Sequence, residues 1–261
     1  MDPTTLTAEQ TQNLENFVRN NDQKAWSGVL GKGIHAVREV SPEFEGKLIV
    51  LEGLDGTGKT TQFQILKEYL EKQNVKFVTT KSPGGTAFGN EIRRILFESI
   101  GTDNIWPDAL ELLFLASHLH NLHTWVIPNL KNGTHVIADR HWPSSVAYMD
   151  QRESSQFVKD FYQRMRGMDP DLMILLCCDV DTAFCRANFA TDRSHQKGKK
   201  WNTKEDFLSI QDKFISNFYS REWCVPVWTD RSVALDIFNY EIKQAVDRLL
   251  GLDASVNMEV N

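Results

Sequence analysis

The sequence predicts an α/β protein, a three-layer α/β/α arrangement with a five-stranded parallel sheet covered by helices on both faces. Three observations carry this. Apolar runs of strand length alternate with stretches of helical period from Lys47 onward, the signature of consecutive βαβ units. Runs such as Leu48–Leu51 and Leu172–Cys178 are apolar without interruption, as strands buried on both faces are. A glycine-rich loop joins the first of these runs directly to a helical stretch. Strands are expected at 48–52, 75–80, 134–138, 172–178 and 225–228, and helices at about 59–72, 90–98, 108–130, 143–166 with a break, 181–190, 203–222 and 233–250. Thr203 to Asp206 reads as a helix N-cap, and Asn74 and Gly133 as helix stops.

Residues 1–46 stand apart as an amino-terminal extension, polar up to Asp22 and without strand signal. Thr7-Ala8-Glu9-Gln10 opens a possible helix with Leu14, Phe17 and Val18 on one face, suited to docking or to an adapter role. Its four basic residues are outnumbered by seven acidic ones, so it is no basic arm. Residues 47–250 form the main domain and 251–261 a flexible tail.

The first strand leads into Gly53-Leu54-Asp55-Gly56-Thr57-Gly58-Lys59-Thr60, a complete Walker A loop, and then into a helix from Thr61. Glycines let the backbone turn its N–H groups onto a phosphate chain, and the helix adds the positive end of its dipole. Lys59 is placed for the β- and γ-phosphates of ATP and the Thr60 hydroxyl for Mg²⁺. Gly53, Asp55, Gly56, Thr57, Gly58, Lys59, Thr60 and Thr61 are therefore the expected ATP contacts, and the fold is of the P-loop NTPase type.

In such sheets the ligand sits beyond the carboxyl ends of the strands, so the residues after each strand carry the chemistry. The second strand exits into Lys81-Ser82-Pro83-Gly84-Gly85-Thr86, followed by a helix with Arg93 and Arg94; a plain tight turn is the alternative reading. The third exits into Asp139-Arg140-His141, where the acid can hold a Mg²⁺-bound water and the guanidinium can grip a phosphate; a mere Asp–Arg ion pair is the alternative. Past the fourth strand, residues 186–204 carry six basic residues, Arg186 and Arg193 among them, against one acid. That run reads as a basic lid over polyphosphate, or as a solvated face. After the last strand, Asp230 is placed near the adenine.

The chain of 261 residues, 41% hydrophobic, can bury a full core, and its net charge of −6 gives no general attraction for nucleic acid. No apolar run is long enough to cross a bilayer, and Met1-Asp2-Pro3 opens no signal or transit peptide, so a soluble cytoplasmic protein with small-molecule partners is expected. The four cysteines lack Cys-x-x-Cys spacing and read as reduced thiols, and His118, His120 and His123 are spaced wrongly for zinc.

Together these residues resemble the thymidylate kinase family of P-loop nucleoside monophosphate kinases, over about residues 47–250. The resemblance rests on the Walker loop, Pro83-Gly84-Gly85-Thr86, Leu113-Phe114, Asp139-Arg140-His141 and Ser145-x-x-Tyr148, in family order and spacing. It implies transfer of the ATP γ-phosphoryl to dTMP, with Mg²⁺ as cofactor and a homodimer as the assembly. Lys59, Asp139, Arg140, Arg186 and Arg193 would be catalytic, with Thr60 and Asp139 holding the metal and Arg186 also on the ATP side. The acceptor would meet Asp55, Pro83, Arg93, Phe114, His118, Arg140, Ser145 and Tyr148. Phe114 would stack on the base and Tyr148 would stand against the sugar's 2′ position. Two departures matter: Lys81-Ser82 replaces the family's Arg-Glu, and His118 stands where the family has a base-reading Arg. They keep UMP/CMP kinase open as an alternative. A deoxynucleoside kinase would need a carboxylate base; Glu52 precedes the loop, but none follows the second strand. A silent nucleotide-binding regulator that recruits a partner through its amino-terminal segment is the non-enzyme alternative.

Overall fold

The computed structural model describes residues 44–148, 169–189, 203–229 and 235–252. Five strands, β1 (Leu48–Gly53), β2 (Phe77–Lys81), β3 (His135–Asp139), β4 (Leu172–Cys177) and β5 (Cys224–Trp228), form one sheet in the order β2-β3-β1-β4-β5. Every neighbouring pair is parallel. The unbroken apolar runs of β1 and β4 take inner positions and every residue in them is buried. The strands at the edges are less apolar: β2 carries Thr79 and Lys81 exposed, and β5 carries Pro226, which lacks an amide N–H and suits an edge.

Eight α-helices are described: α1 (Lys59–Lys72), α2 (Ala87–Arg94), α3 (Pro107–Asn121), α4 (Ile127–Lys131), α5 (Trp142–Tyr148), α6 (Val180–Phe189), α7 (Lys204–Phe218) and α8 (Leu235–Leu250). Alternation along the strands assigns each sheet face its own layer. Ile49, Leu51, Ile174 and Leu176 pack on Leu66 and Leu70 of α1 and on Val246 of α8. Leu48 and Val50 face Val126 and Leu130, while Met173 and Leu175 face Ile210 and Phe214 of α7. Phe214 and Phe218 are among the largest fully buried side chains, and truncating either to Ala costs about 3–5 kcal/mol by the usual scale for core aromatics.

Within the described residues the expected elements are present, with shifted ends. The long helix expected at 108–130 is α3 and α4 joined by a π-helical stretch at Leu122–Val126; Pro128 follows, and a residue without an N–H cannot continue the i to i−4 ladder. The helix expected at 90–98 is α2 continued by a second π stretch, Ile95–Ser99. Asn74 and Gly133 adopt left-handed φ of 56° and 66° after their helices, and Thr203 and Asp206 form a reciprocal capping box on α7. Cys177, Cys178 and Cys224 are buried free thiols, whereas Cys185 is exposed. The amino-terminal helix, most of the stretch expected at 143–166, the centre of the lid with Arg193, Asp230 and the tail from 253 lie outside the described residues. No helix among the described residues is long and apolar enough to cross a membrane.

Candidate active site

Register brings the strand ends together. Leu51 of β1 pairs with Asp139 of β3, Lys81 of β2 pairs with the same Asp139, and Gly53 pairs with Leu176 of β4. The Walker loop, the Pro83 turn and the Asp139-Arg140-His141 turn therefore open on one edge of the sheet, around a cavity of about 550 Å³. Asp55, Gly56, Gly58, Lys59 and Thr60 line one side. Pro83, Arg93, Phe114, Arg140, Ser145 and Tyr148 line the other, and Asp139 and Arg186 also line the cavity.

On the loop side the backbone does the shaping. Gly56 sits at φ 84° with its Cα so close to α6 that a Cβ would fall 2.1 Å from the Ala183 carbonyl oxygen, so no other residue fits there without displacing α6. Thr57 is fully buried, its hydroxyl donating to the Leu54 carbonyl at 2.8 Å, and so shapes the loop instead of lining the cavity. Lys59 reaches back across the loop to donate to the same carbonyl, and its ammonium is 3.9 Å from Asp55. Burial, assisted by the nearby Arg140 charge, pushes the Lys59 pKa down to about 8. A proton held that weakly would be retained more firmly beside a polyanion.

The opposite wall is made of side chains. Arg140 takes a left-handed φ of 69° and donates to the Gly53 carbonyl at 2.9 Å, to Ser144 Oγ at 2.9 Å, to Asp55 Oδ1 at 2.6 Å and to Tyr148 Oη at 3.3 Å. Its guanidinium also lies 5.2 Å from the Tyr148 ring centroid. Burial opposes its charge, but Tyr148, Asp55, Glu52 and Asp139 outweigh that and raise its pKa, so it is a permanent cation. Its acidic partners are Asp55 and Glu52, not the neighbouring Asp139 that a simple Asp–Arg pair would use. Arg93 donates to the Pro83 carbonyl at 3.2 Å and lies over Phe97, while burial lowers its pKa. Burial raises the Tyr148 pKa, which keeps the phenol protonated.

The Pro83 turn is held from α3. Gly84 N–H donates to Ser117 Oγ at 3.0 Å, and Asn121 Nδ2 donates to Thr80 Oγ1 at 2.6 Å and to the Gly84 carbonyl at 2.8 Å. His118 lies between these two residues but is only 3% exposed and does not line the cavity. Its ring instead packs edge-on against His141, with centroids 4.5 Å apart, and His141 lines the cavity in its place. This corrects the expectation of a direct contact through His118: a side chain much shorter than the family's Arg stays within the helix layer. Burial first, then His141 and His123, lower the His118 pKa well below the usual 6.5, so it is neutral.

Thr60 and Asp139 both line the cavity, and Asp139 Oδ1 is buried without a hydrogen-bond partner among the described residues. A hydroxyl and a spare carboxylate oxygen beside a polyphosphate site fit a Mg²⁺ held largely by water and phosphate, the usual habit of that ion. Gly53 and Thr61 do not line the cavity: Gly53 carries the strand into the loop and Thr61 is exposed on α1. The sequence reading missed Glu111, Phe97 and Phe207, all cavity-lining. Glu111 lies three residues before Phe114 on α3, a spacing that puts both on one face and could have revealed it. Phe97, four residues past Arg93, was legible the same way; nothing marked Phe207.

With this geometry in place, the comparisons with known proteins decide the family. The family model described as Thymidylate kinase matches residues 51–234. The chain belongs to the thymidylate kinase family. It is similar to the thymidylate kinase of Carboxydothermus hydrogenoformans, 37% identical over 209 residues, covering 79% of this chain and 99% of that one. The thymidylate kinase of Clavibacter sepedonicus is 39% identical over 151 residues, covering 57% and 71%. That of Methylococcus capsulatus is 36% identical over 148 residues, covering 55% and 69%.

Proposed function

We infer that this molecule is an ATP-dependent dTMP kinase, transferring the γ-phosphoryl of ATP to the 5′-phosphate of dTMP to give ADP and dTDP. The observation that carries this is one carboxylate touching both walls: Asp55 is 2.6 Å from Arg140 and 3.9 Å from Lys59. Two cations that close to a common atom can hold two phosphate tails end to end, the arrangement phosphoryl transfer needs. Lys59 takes the donor's terminal phosphates and Arg140 aligns the acceptor's. Arg93 completes the acceptor grip, Phe114 offers a face to the base, and Tyr148 limits space at the sugar. Ser145 and Pro83 complete the acceptor wall. Arg186, which donates to the Thr229 carbonyl at 3.2 Å, stands on the ATP side, and Arg193 and Asp230 are assigned there from the sequence. Mg²⁺, when bound through Thr60 and water-linked Asp139, neutralises charge on the phosphates. No general base is required, because a phosphate monoester is already anionic near pH 7.

The deoxynucleoside kinase alternative loses its candidate base here. Glu52 is fully buried, does not line the cavity, and has its oxygens occupied by the β3–α5 turn. The homodimer is proposed from the family frame and from Ile100, Trp106 and Leu112, which are exposed apolar residues at 50%, 76% and 43%. Sedimentation equilibrium tests it. Cytoplasmic residence follows from the same reading and is tested by fractionation. The function itself is tested by ADP release with dTMP, dUMP, dCMP, UMP, CMP and thymidine. The highest kcat/KM is expected with dTMP and none with thymidine; equal rates with UMP, or turnover confined to thymidine, would overturn it.

A further inference from the structure

Glu52 is the penultimate residue of β1, immediately before the phosphate loop, and the function just described gives it no task. Its side chain is 0% exposed, yet both oxygens are committed. Oε1 accepts the His141 N–H at 2.8 Å and the Ser144 N–H at 3.1 Å. Oε2 accepts the Ser144 hydroxyl at 2.6 Å and lies 3.7 Å from Arg140 Nη1. Ser144 Oγ in turn accepts from that same Nη1 at 2.9 Å. One carboxylate thus holds the backbone of the turn after β3 and, through one hydroxyl, the head of the arginine that the turn carries.

The turn needs holding. Arg140 is one of only two non-glycine residues with positive φ among the described residues, and a bulky side chain keeps that conformation only when its surroundings fix it. The Arg140 N–H continues the sheet to the Leu51 carbonyl at 3.0 Å, and the next donors along the chain, the His141 and Ser144 amides, point at Glu52. Burial outweighs the pull of Arg140, the Ser144 hydroxyl and the His141 amide and raises the Glu52 pKa, while the geometry has two amides and one hydroxyl donating to its oxygens.

We propose that Glu52 is the positioning residue of the acceptor-phosphate site. Acting through Ser144 and the turn amides, it sets the backbone and guanidinium plane of Arg140, so that binding of the phosphate-accepting nucleotide depends on it and binding of ATP does not. This rests on the reading of Arg140 as the acceptor-phosphate grip. A carboxylate is required because it accepts on both oxygens. Glutamine, of equal shape, would present an amide N–H₂ toward Ser144 and Arg140 and lose one acceptor.

The test uses the full chain carrying Glu52→Gln, Ser144→Ala or Arg140→Lys, with initial rates over dTMP at saturating ATP and over ATP at saturating dTMP. Circular dichroism and the thermal midpoint report folding. Glu52→Gln and Ser144→Ala are each expected to raise the dTMP KM about tenfold with the ATP KM within about twofold, the scale of losing one charged hydrogen bond. Glu52→Gln and Arg140→Lys combined should raise it by less than the product of their separate effects. An unchanged dTMP KM in folded Glu52→Gln, or dTMP and ATP KM rising together, would overturn the proposal. Should Glu52→Gln fail to fold, Ser144→Ala decides by the same criteria. If Arg140→Lys itself leaves the dTMP KM unmoved, the acceptor reading of Arg140 fails; if only Arg140→Lys moves it, the role of Glu52 fails alone.

Discussion

The loop wall, proposed as the donor side, is one continuous stretch, Asp55 to Thr60, whose shape comes from glycine backbone, whereas the opposite wall, proposed as the acceptor side, assembles Pro83, Arg93, Phe114, Arg140 and Tyr148 from four separated segments and works with side chains. The first is local and at Gly56 tolerates no side chain; the second is built by tertiary contacts and depends on the residues behind it. A backbone cradle serves any polyphosphate, and a side-chain wall can distinguish one acceptor from another.

That contrast is broken most sharply by removing the cation from each side. Lys59→Ala and Arg140→Ala should each lower kcat/KM for dTMP by about 10³-fold or more while circular dichroism stays unchanged. The two should differ in which substrate suffers: ATP binding, followed by calorimetry, should weaken in Lys59→Ala and persist in Arg140→Ala. Equal loss of ATP binding in both would merge the two walls.

Next in size is the support behind the acceptor turn. Gly85 has φ 78°, and a Cβ there would fall 2.2 Å from both Asn121 Nδ2 and Thr80 Oγ1. Gly85→Ala should cost about 1–3 kcal/mol of stability, read by urea denaturation, and raise the dTMP KM more than the ATP KM.

A pH titration sharpens the donor side. Lys59 has its pKa lowered from 10.5 to about 8 by burial, so in the free protein its charge is present below pH 8 and lost above it. Phosphate oxygens favour the charged form, so ATP binding must raise that pKa and take up a proton. Calorimetry in buffers of different ionisation enthalpy should show uptake appearing as pH rises through 8, together with weakening ATP affinity. dTMP binding should show no matching uptake from Lys59.

The smallest effect is expected at His118. Its neutral ring is buried with Nε2 lacking a hydrogen-bond partner among the described residues, so His118→Leu removes an unsatisfied polar atom and should leave stability within about 1 kcal/mol and the dTMP KM within about threefold. A tenfold change in the dTMP KM would return His118 to direct base contact.

The same contrast explains what could be read from sequence. The Walker loop was legible because eight consecutive residues dictate its shape, and β1 and β4 because burial on both faces leaves an unbroken apolar run. Arg140 and Tyr148 were placed through their position after β3 and the family spacing. Glu52 was noticed only as a possible base, since the donors it serves lie 89 and 92 residues away, at His141 and Ser144. His118 was set at the base edge by spacing alone; helix spacing fixes a direction, and only packing against His141 determined how far the ring reaches. The π-helical stretches have no simple sequence mark beyond Pro128.

The central claim is that two phosphate tails meet across Asp55 in one cavity. It is tested most directly by the affinity of a two-headed molecule, adenosine and thymidine joined 5′ to 5′ through five phosphates, measured by calorimetry against ATP and dTMP alone. The account predicts binding at least about 100-fold tighter than either nucleotide, with displacement by both. Affinity no greater than that of ATP, with dTMP still binding alongside, would contradict it.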